Sequence, residues 1–313
     1  MAKIIFTWDG KANTTAETST DYFRGTTSGY FNAKSYTESW TGKGLIYDPN
    51  VFLSKNPYPV SGTIESWNWA NKVGTFDMKI SGASFVIPQN LDYSEIIAGL
   101  VSGQDEWIGN NENNYFFFSV GNDTYYGNFG IDTIDAFIEK QYWITGSTKF
   151  QKDPSGKISV ANFGSASLTL DSIERIRFSD KSIAIDLDGN AGNAARTLAT
   201  VFGKDALKNT TYAGIAISLF DQGMTKDQVS QVAINAVFGA NPKSTDVVKL
   251  LWKNLFNADI DASNLAYYSG LIDSKAMTAA QLTTLAADLD LTAQLIDLAG
   301  LSKTGWEYVP FGT

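Results

Sequence analysis

The chain is 313 residues long, 43% hydrophobic, with a net charge of −9 and a pI near 4.6. Length and apolar content predict two or three folded domains rather than a disordered chain, and acidity without a basic patch argues against nucleic acid as a partner. No cysteine or histidine is present, which excludes disulfides, thiolate and imidazole metal sites and a Ser-His-Asp triad, so any metal must be held by oxygen, as Ca²⁺ or Mg²⁺ is.

The opening MAKIIFTWDGKAN lacks an apolar h-region, so no Sec signal peptide is expected. No run approaches about eighteen uninterrupted apolar residues, so no membrane span is expected. Residues 1–100 read as a β-sandwich-like module. Apolar and polar residues alternate in Lys3–Trp8 and Thr75–Ile80, with loops at Gly25–Gly29 and Asn56–Pro59. A short helix-like stretch, Tyr93–Leu100, follows. Trp40, Trp67 and Trp69 read as sandwich core; a sugar-binding platform would need them exposed and coplanar.

Residues 102–137 carry a nine-residue repeat: SGQDEWIGN, NENNYFFFS, VGNDTYYGN, FGIDTIDAF. Its fourth column is Asp105, Asn114, Asp123, Asp132; its sixth is Trp107, Phe116, Tyr125, Ile134; its second is Gly103, Glu112, Gly121, Gly130. Turn glycines, an acid and one large apolar residue at this period predict a short, degenerate parallel β-roll that binds Ca²⁺. The apolar column fills the core, the glycines permit tight turns, and the acids complete an oxygen shell. The alternative is a short β-meander that binds nothing. In the aromatic run Tyr115–Phe118, alternate side chains face opposite ways.

Residues 138–185 read as further strands, closed by SLTLDSIERIRFSDKSIAID with Leu168, Leu170, Ile173, Ile176 and Phe178 as apolar positions. The roll and these strands make a second domain, residues 101–185. Next come Asp186, Asp188 and Asn190, an alternating oxygen triple able to wrap a Ca²⁺. Residue 197 is Thr, so the closing Glu of an EF-hand is missing. The other reading is a turn that caps a helix from Ala191. Asp259, Asp261 and Ser263 alternate in the same way, with helix capping as the plainer reading.

Residues 186–313 read as an all-α domain with an internal repeat. GMTKDQVSQVAINAVFG matches AMTAAQLTTLAADLDL 53 residues later, and AARTLATVFG parallels VVKLLWKNLFN. Each unit is about three helices, with Thr225 and Thr278 as N-cap candidates.

The nine-residue unit, best in GNFGIDTID, resembles the nonapeptide repeat of RTX proteins, which Gram-negative bacteria export by type I secretion. In that family each turn of the roll holds two nonapeptides, so the resemblance implies that Asp105 stacks over Asp123 and Asn114 over Asp132, with Asp105/Asp123 the stronger Ca²⁺ site. SGTIESW and its surroundings resemble the β-module that often precedes RTX repeats, and IERIRFSDKSIAID resembles the segment that ends many of them. NLFNADIDASNLAYYSGLIDSKAMTAAQLTTLAADL resembles a helical domain of unknown function found after such repeats. The resemblance implies an uncleaved export signal in the last tens of residues and an extracellular or cell-surface location.

The expected function is a secreted Ca²⁺-binding structural protein that assembles with itself into a surface layer or filament. Cell-surface polysaccharide is a further partner considered. An adhesin or carbohydrate-binding module is the alternative, and a carboxylate-based hydrolase the third reading. No catalytic motif is seen in the sequence, and an enzyme is not expected.

Overall fold

A computed structural model describes residues 3–8, 19–24, 28–33, 36–46, 61–71 and 76–87 of the first hundred, and residues 103–311 apart from 120, 138, 143, 146–147 and 164–165. The chain is broadly β followed by α. It divides into two compact units, Met1–Ser179 and Asp180–Thr313.

In the first unit, strands β1 (Lys3–Trp8), β2 (Ser19–Arg24), β3 (Ser28–Ala33), β4 (Tyr36–Ile46), β5 (Ser61–Asn71) and β6 (Phe76–Ile87) lie in one antiparallel arrangement, ordered β1-β6-β5-β4-β3-β2. Trp40 and Trp67 are paired across β4 and β5, stacked at 5.0 Å and fully buried. They are therefore core rather than an exposed platform. The Trp69 side chain and the stretch Tyr93–Leu100 lie outside the described residues.

The repeats form very short strands: β7 (Glu106–Ile108), β8 (Tyr115–Phe117), β9 (Thr124–Tyr126) and β10 (Thr133–Asp135). Their pairing is parallel and skips one repeat, with Trp107 opposite Tyr125 and Phe116 opposite Ile134. Two ladders result. Three residues suffice per strand because only the middle one points inward, and Trp107, Phe116, Tyr125 and Ile134 are all buried.

Both ladders continue past the repeats. A hairpin of β11 (Lys149–Lys152) and β12 (Ile158–Phe163) leads into β13 (Ala166–Asp171), which adds in parallel to β9 with Leu170 opposite Tyr125. Strand β14 (Arg175–Arg177) then adds to β10 with Ile176 opposite Ile134. Leu170 and Ile176 are buried and complete the two apolar columns. At the other end, β1 runs parallel to β7, with Ile4 opposite Trp107. The antiparallel strands and the ladder of β7 and β9 therefore share one sheet.

The second unit opens with β15 (Ser182–Ala184) and then has eight helices: α1 (Asn190–Phe202), α2 (Thr210–Asp221), α3 (Lys226–Phe238), α4 (Ser244–Phe256), α5 (Ala262–Asp273), α6 (Ala279–Ala287), α7 (Asp290–Leu295) and α8 (Leu298–Thr304). Helices α1–α3 and α4–α6 are the two repeated halves. Thr225 and Thr278 each form a complete capping box, with Gln228 and Gln281 as the returning side chains. Corresponding helices also meet. The Asn254 amide of α4 donates to the Thr200 and Val201 carbonyls that end α1, and Ser230 of α3 bonds Thr284 of α6 at 3.1 Å. Each half has an apolar cleft with matching walls. Leu198, Phe202, Ile215, Val229 and Val232 line the first; Leu251, Leu255, Tyr268, Leu282 and Leu285 line the second, each 53 residues on.

The C-terminal stretch closes this unit. Strand β16 (Trp306–Tyr308) pairs antiparallel with β15, and the Trp306 indole donates to the Leu207 carbonyl at 3.0 Å. Trp306 and Tyr308 pack among Ala191, Ala194, Ala195 and Leu198. Part of the segment expected to carry an export signal is thus a structural strand. No helix among the described residues is long and apolar enough to cross a membrane.

Candidate metal centre

The turns joining the ladders make two edges. One edge holds Asn114, Asp132 and, from the closing turn, Glu174; the other holds Asp105 and Asp123. Asp123, Asp132 and Glu174 each reach along the stack to the backbone of the turn before. Asp105 N–H donates to Asp123 Oδ1 at 2.9 Å, and Asn114 N–H donates to Asp132 Oδ1 at 2.7 Å, both across 18 residues. These four predicted ligands are buried and stand in two pairs, one per edge.

The turn glycines are needed for close approach. At Gly121, φ is +155°, and a Cβ would collide with the Gly103 carbonyl oxygen. Gly130, at φ +122°, lies against the Glu112 carbonyl in the same way. Carbonyl oxygens therefore point along the stack between turns.

Hydrogen bonding differs between the edges. Asp123 is engaged at both oxygens, because Oδ2 accepts from the Ser119 hydroxyl at 2.6 Å. Ser119 in turn accepts from the Trp107 indole at 3.2 Å. Burial pushes the Asp123 carboxyl up to about 6, against the lowering effect of these hydrogen bonds. Tyr125, wholly buried beside it, has its hydroxyl pushed upward by the same desolvation.

On the other edge, Asn114 is satisfied locally. Its Oδ1 accepts from Asn110 N–H and its amide donates to Asn110 Oδ1, both at 2.9 Å. Asp132 has no such arrangement. Its residue is 0% exposed, and Oδ2 has no hydrogen-bond partner. Burial pushes its carboxyl up to about 7, and the charge of Glu174 adds to the rise. Glu174 Oε2 accepts from the Asp132 N–H at 2.8 Å.

Sequence periodicity missed Ser119, Ser172 and Glu174. Ile176 follows Leu170 by six residues, where the repeats advance by nine, so the closing turn drops out of the nine-residue alignment. Asp135 was missed too. This buried carboxylate accepts from Arg177 Nε at 2.8 Å and also from Nη2. Sequence offered one signal for this pair, namely acid and base at equivalent places in parallel strands.

The remaining predicted ligands lie in the helical unit, where Asp186, Asn190 and Asp261 bond to helix residues. Asp186 Oδ2 accepts from Ala191 N–H at 3.2 Å, Asn190 donates to Asp221 at 3.0 Å, and Asp188 is exposed. Asp261 caps α5 through Asn264 N–H at 2.9 Å, while Asp259 is fully exposed and lies 3.8 Å from Lys253. Among the described residues no group of three or more Asp or Glu side chains converges. Ca²⁺ commonly takes much of its shell of six to eight oxygens from backbone carbonyls, so the ladder edges are the relevant geometry.

Comparisons with protein-family models, with curated proteins and with solved structures found no match for this chain.

Proposed function

We propose that the protein is an exported, RTX-like structural protein whose repeats form a Ca²⁺-binding parallel β-roll and which assembles with copies of itself at the cell surface. The observation that carries this reading is the buried Asp132 carboxylate, whose Oδ2 lacks a hydrogen-bond donor in a turn lined by carbonyl oxygens. A buried carboxylate of this kind is either protonated or compensated by a partner, and a hard cation with oxygen ligands is such a partner. The stack of residues 18 apart adds support, since it is the spacing that two nonapeptides per turn imply.

Assembly rests on a separate feature. Among the described residues β8 pairs on one side only, with β10, and an open strand edge is a template for another chain. Phe129 and Phe137 are exposed near the same ladder, at 74% and 54%. The other ladder is less open than a two-turn roll implies, because β1 covers β7 and β12 covers β13.

Light scattering and negative-stain electron microscopy of the purified chain test the reading. Ordered polymers are expected in millimolar Ca²⁺ and dispersed subunits in chelator. A Ca²⁺-bound monomer at high concentration would remove the assembly claim and put the adhesin reading first.

A further inference from the structure

The Asp132 Oδ2 atom and the Ser172 carbonyl oxygen both crowd Gly127. A Cβ added to Gly127 would strike both oxygens. Two oxygens from successive turns thus lie near one another beside Gly127, whose lack of a Cβ permits their approach, and Oδ2 has no hydrogen-bond partner. Ser172 has φ +55°, a left-handed conformation uncommon outside glycine. The closing turn is held in this position by Gly127 N–H to the Asp171 carbonyl at 2.9 Å and by Glu174 N–H to the Asp132 carbonyl at 3.1 Å. Glu174 brings its own carboxylate to the same edge, where it accepts from the Asp132 N–H.

A buried carboxylate oxygen without a donor, close to a carbonyl oxygen and under the charge of Glu174, is relieved by taking up a proton or a cation. The repeat just before has no such conflict, because Asn114 is neutral and bonded to Asn110. On the far edge Asp123 already has Ser119 and Asp105 as donors.

We propose that Asp132, Glu174 and the Ser172 carbonyl oxygen form a Ca²⁺ site in the closing turn, with Glu174, which lies outside the nine-residue repeats, as its second carboxylate. This rests on the Ca²⁺-binding reading above and adds to it a ligand set from the non-repeated segment. The ion bridges the last repeat to the strand that ends the ladder. Coordination is by ligand exchange alone, with water leaving the ion and carboxylate oxygens entering.

The test is calorimetric titration of the chelator-stripped full chain with CaCl₂, for the unmodified protein, Glu174→Gln and Asp123→Asn. Glu174→Gln is expected to lose one binding event or weaken it at least tenfold, and Asp123→Asn to retain it. If the unmodified chain binds Ca²⁺ and Glu174→Gln gives the same isotherm, the closing-turn site is wrong while Ca²⁺ binding stands. If the unmodified chain takes up no Ca²⁺ at millimolar concentration, both fail. Should Glu174→Gln not fold, ¹³C and ¹⁵N NMR of the unmodified chain decides the matter. The Ser172 carbonyl carbon and the Asp132 amide must shift on adding CaCl₂, and their standing still while other turn signals move would overturn the proposal.

Discussion

Tyr125 lies flat on Trp107, with ring centroids 5.8 Å apart and planes within 12° of parallel. Phe116 meets the same tyrosine edge-on at 5.7 Å, from the opposite ladder. The aromatic residues therefore tie the two ladders together as well as stacking within one.

Removal of that tie is expected to be costly. Phe116→Ala should destabilise the first unit by about 3–5 kcal/mol, the usual cost of deleting a buried aromatic ring. Urea denaturation followed by tryptophan fluorescence reads it. A loss below about 1 kcal/mol would mean that the ladders do not share a core.

Stability without metal should depend on pH in an unusual direction. Asp123 and Asp132 are held at about 6 and about 7, above the 3.8 of an ordinary aspartate. The folded state therefore binds more protons than the unfolded state through this interval. Their contribution is fully present below about pH 4 and is lost as pH rises toward 7. In chelator the thermal midpoint should fall from pH 4.5 to about pH 7, and millimolar Ca²⁺ should flatten that fall. Below about pH 4 exposed caps such as Asp261, held low by Asn264, reverse the trend. A midpoint that climbs steadily to neutrality in chelator would contradict the buried geometry.

The Asp135–Arg177 pair gives a third expectation. The carboxylate is 3% exposed and the guanidinium 41%. Arg177→Met should cost about 3 kcal/mol, because it strands a buried charge. Asp135→Asn in the same chain should recover part of that loss. A double-mutant cycle by chemical denaturation measures the coupling, and strict additivity would show that the pair is not an interacting unit.

The two capping boxes should be equivalent. Thr225→Ala and Thr278→Ala should each cost about 1 kcal/mol. Thermal melts of the two variants check it, and a difference of several-fold would show that the duplicated halves have diverged in how they use this turn.

Much of this arrangement was legible because it is periodic. The nine-residue columns fixed which side chains point inward, and the 53-residue repeat fixed both N-caps. Asp186, Asp188 and Asn190 show the limit of local spacing, since alternation brings oxygens near a turn but does not decide whether they meet a metal or a helix N-terminus. Glu174 was illegible for another reason. It enters the edge 42 residues after Asp132, beyond an inserted hairpin, and no window of fixed period spans that distance. The covering of β7 by β1 depends on a similar long-range return.

That return has a kinetic consequence. Lys3 of β1 stands opposite Glu106 of β7, so closure of this pairing needs a loop of about one hundred residues, the type of non-local contact that slows folding. Strands β2 to β6 have near neighbours to pair with first, whereas β1 must return across the whole antiparallel set to β6 and beyond it to β7. A protein divided at residue 100 would consequently leave raw edges on both fragments, one at β1 and one at β7. Neither half should behave well alone, and co-expressed halves should find each other through that seam.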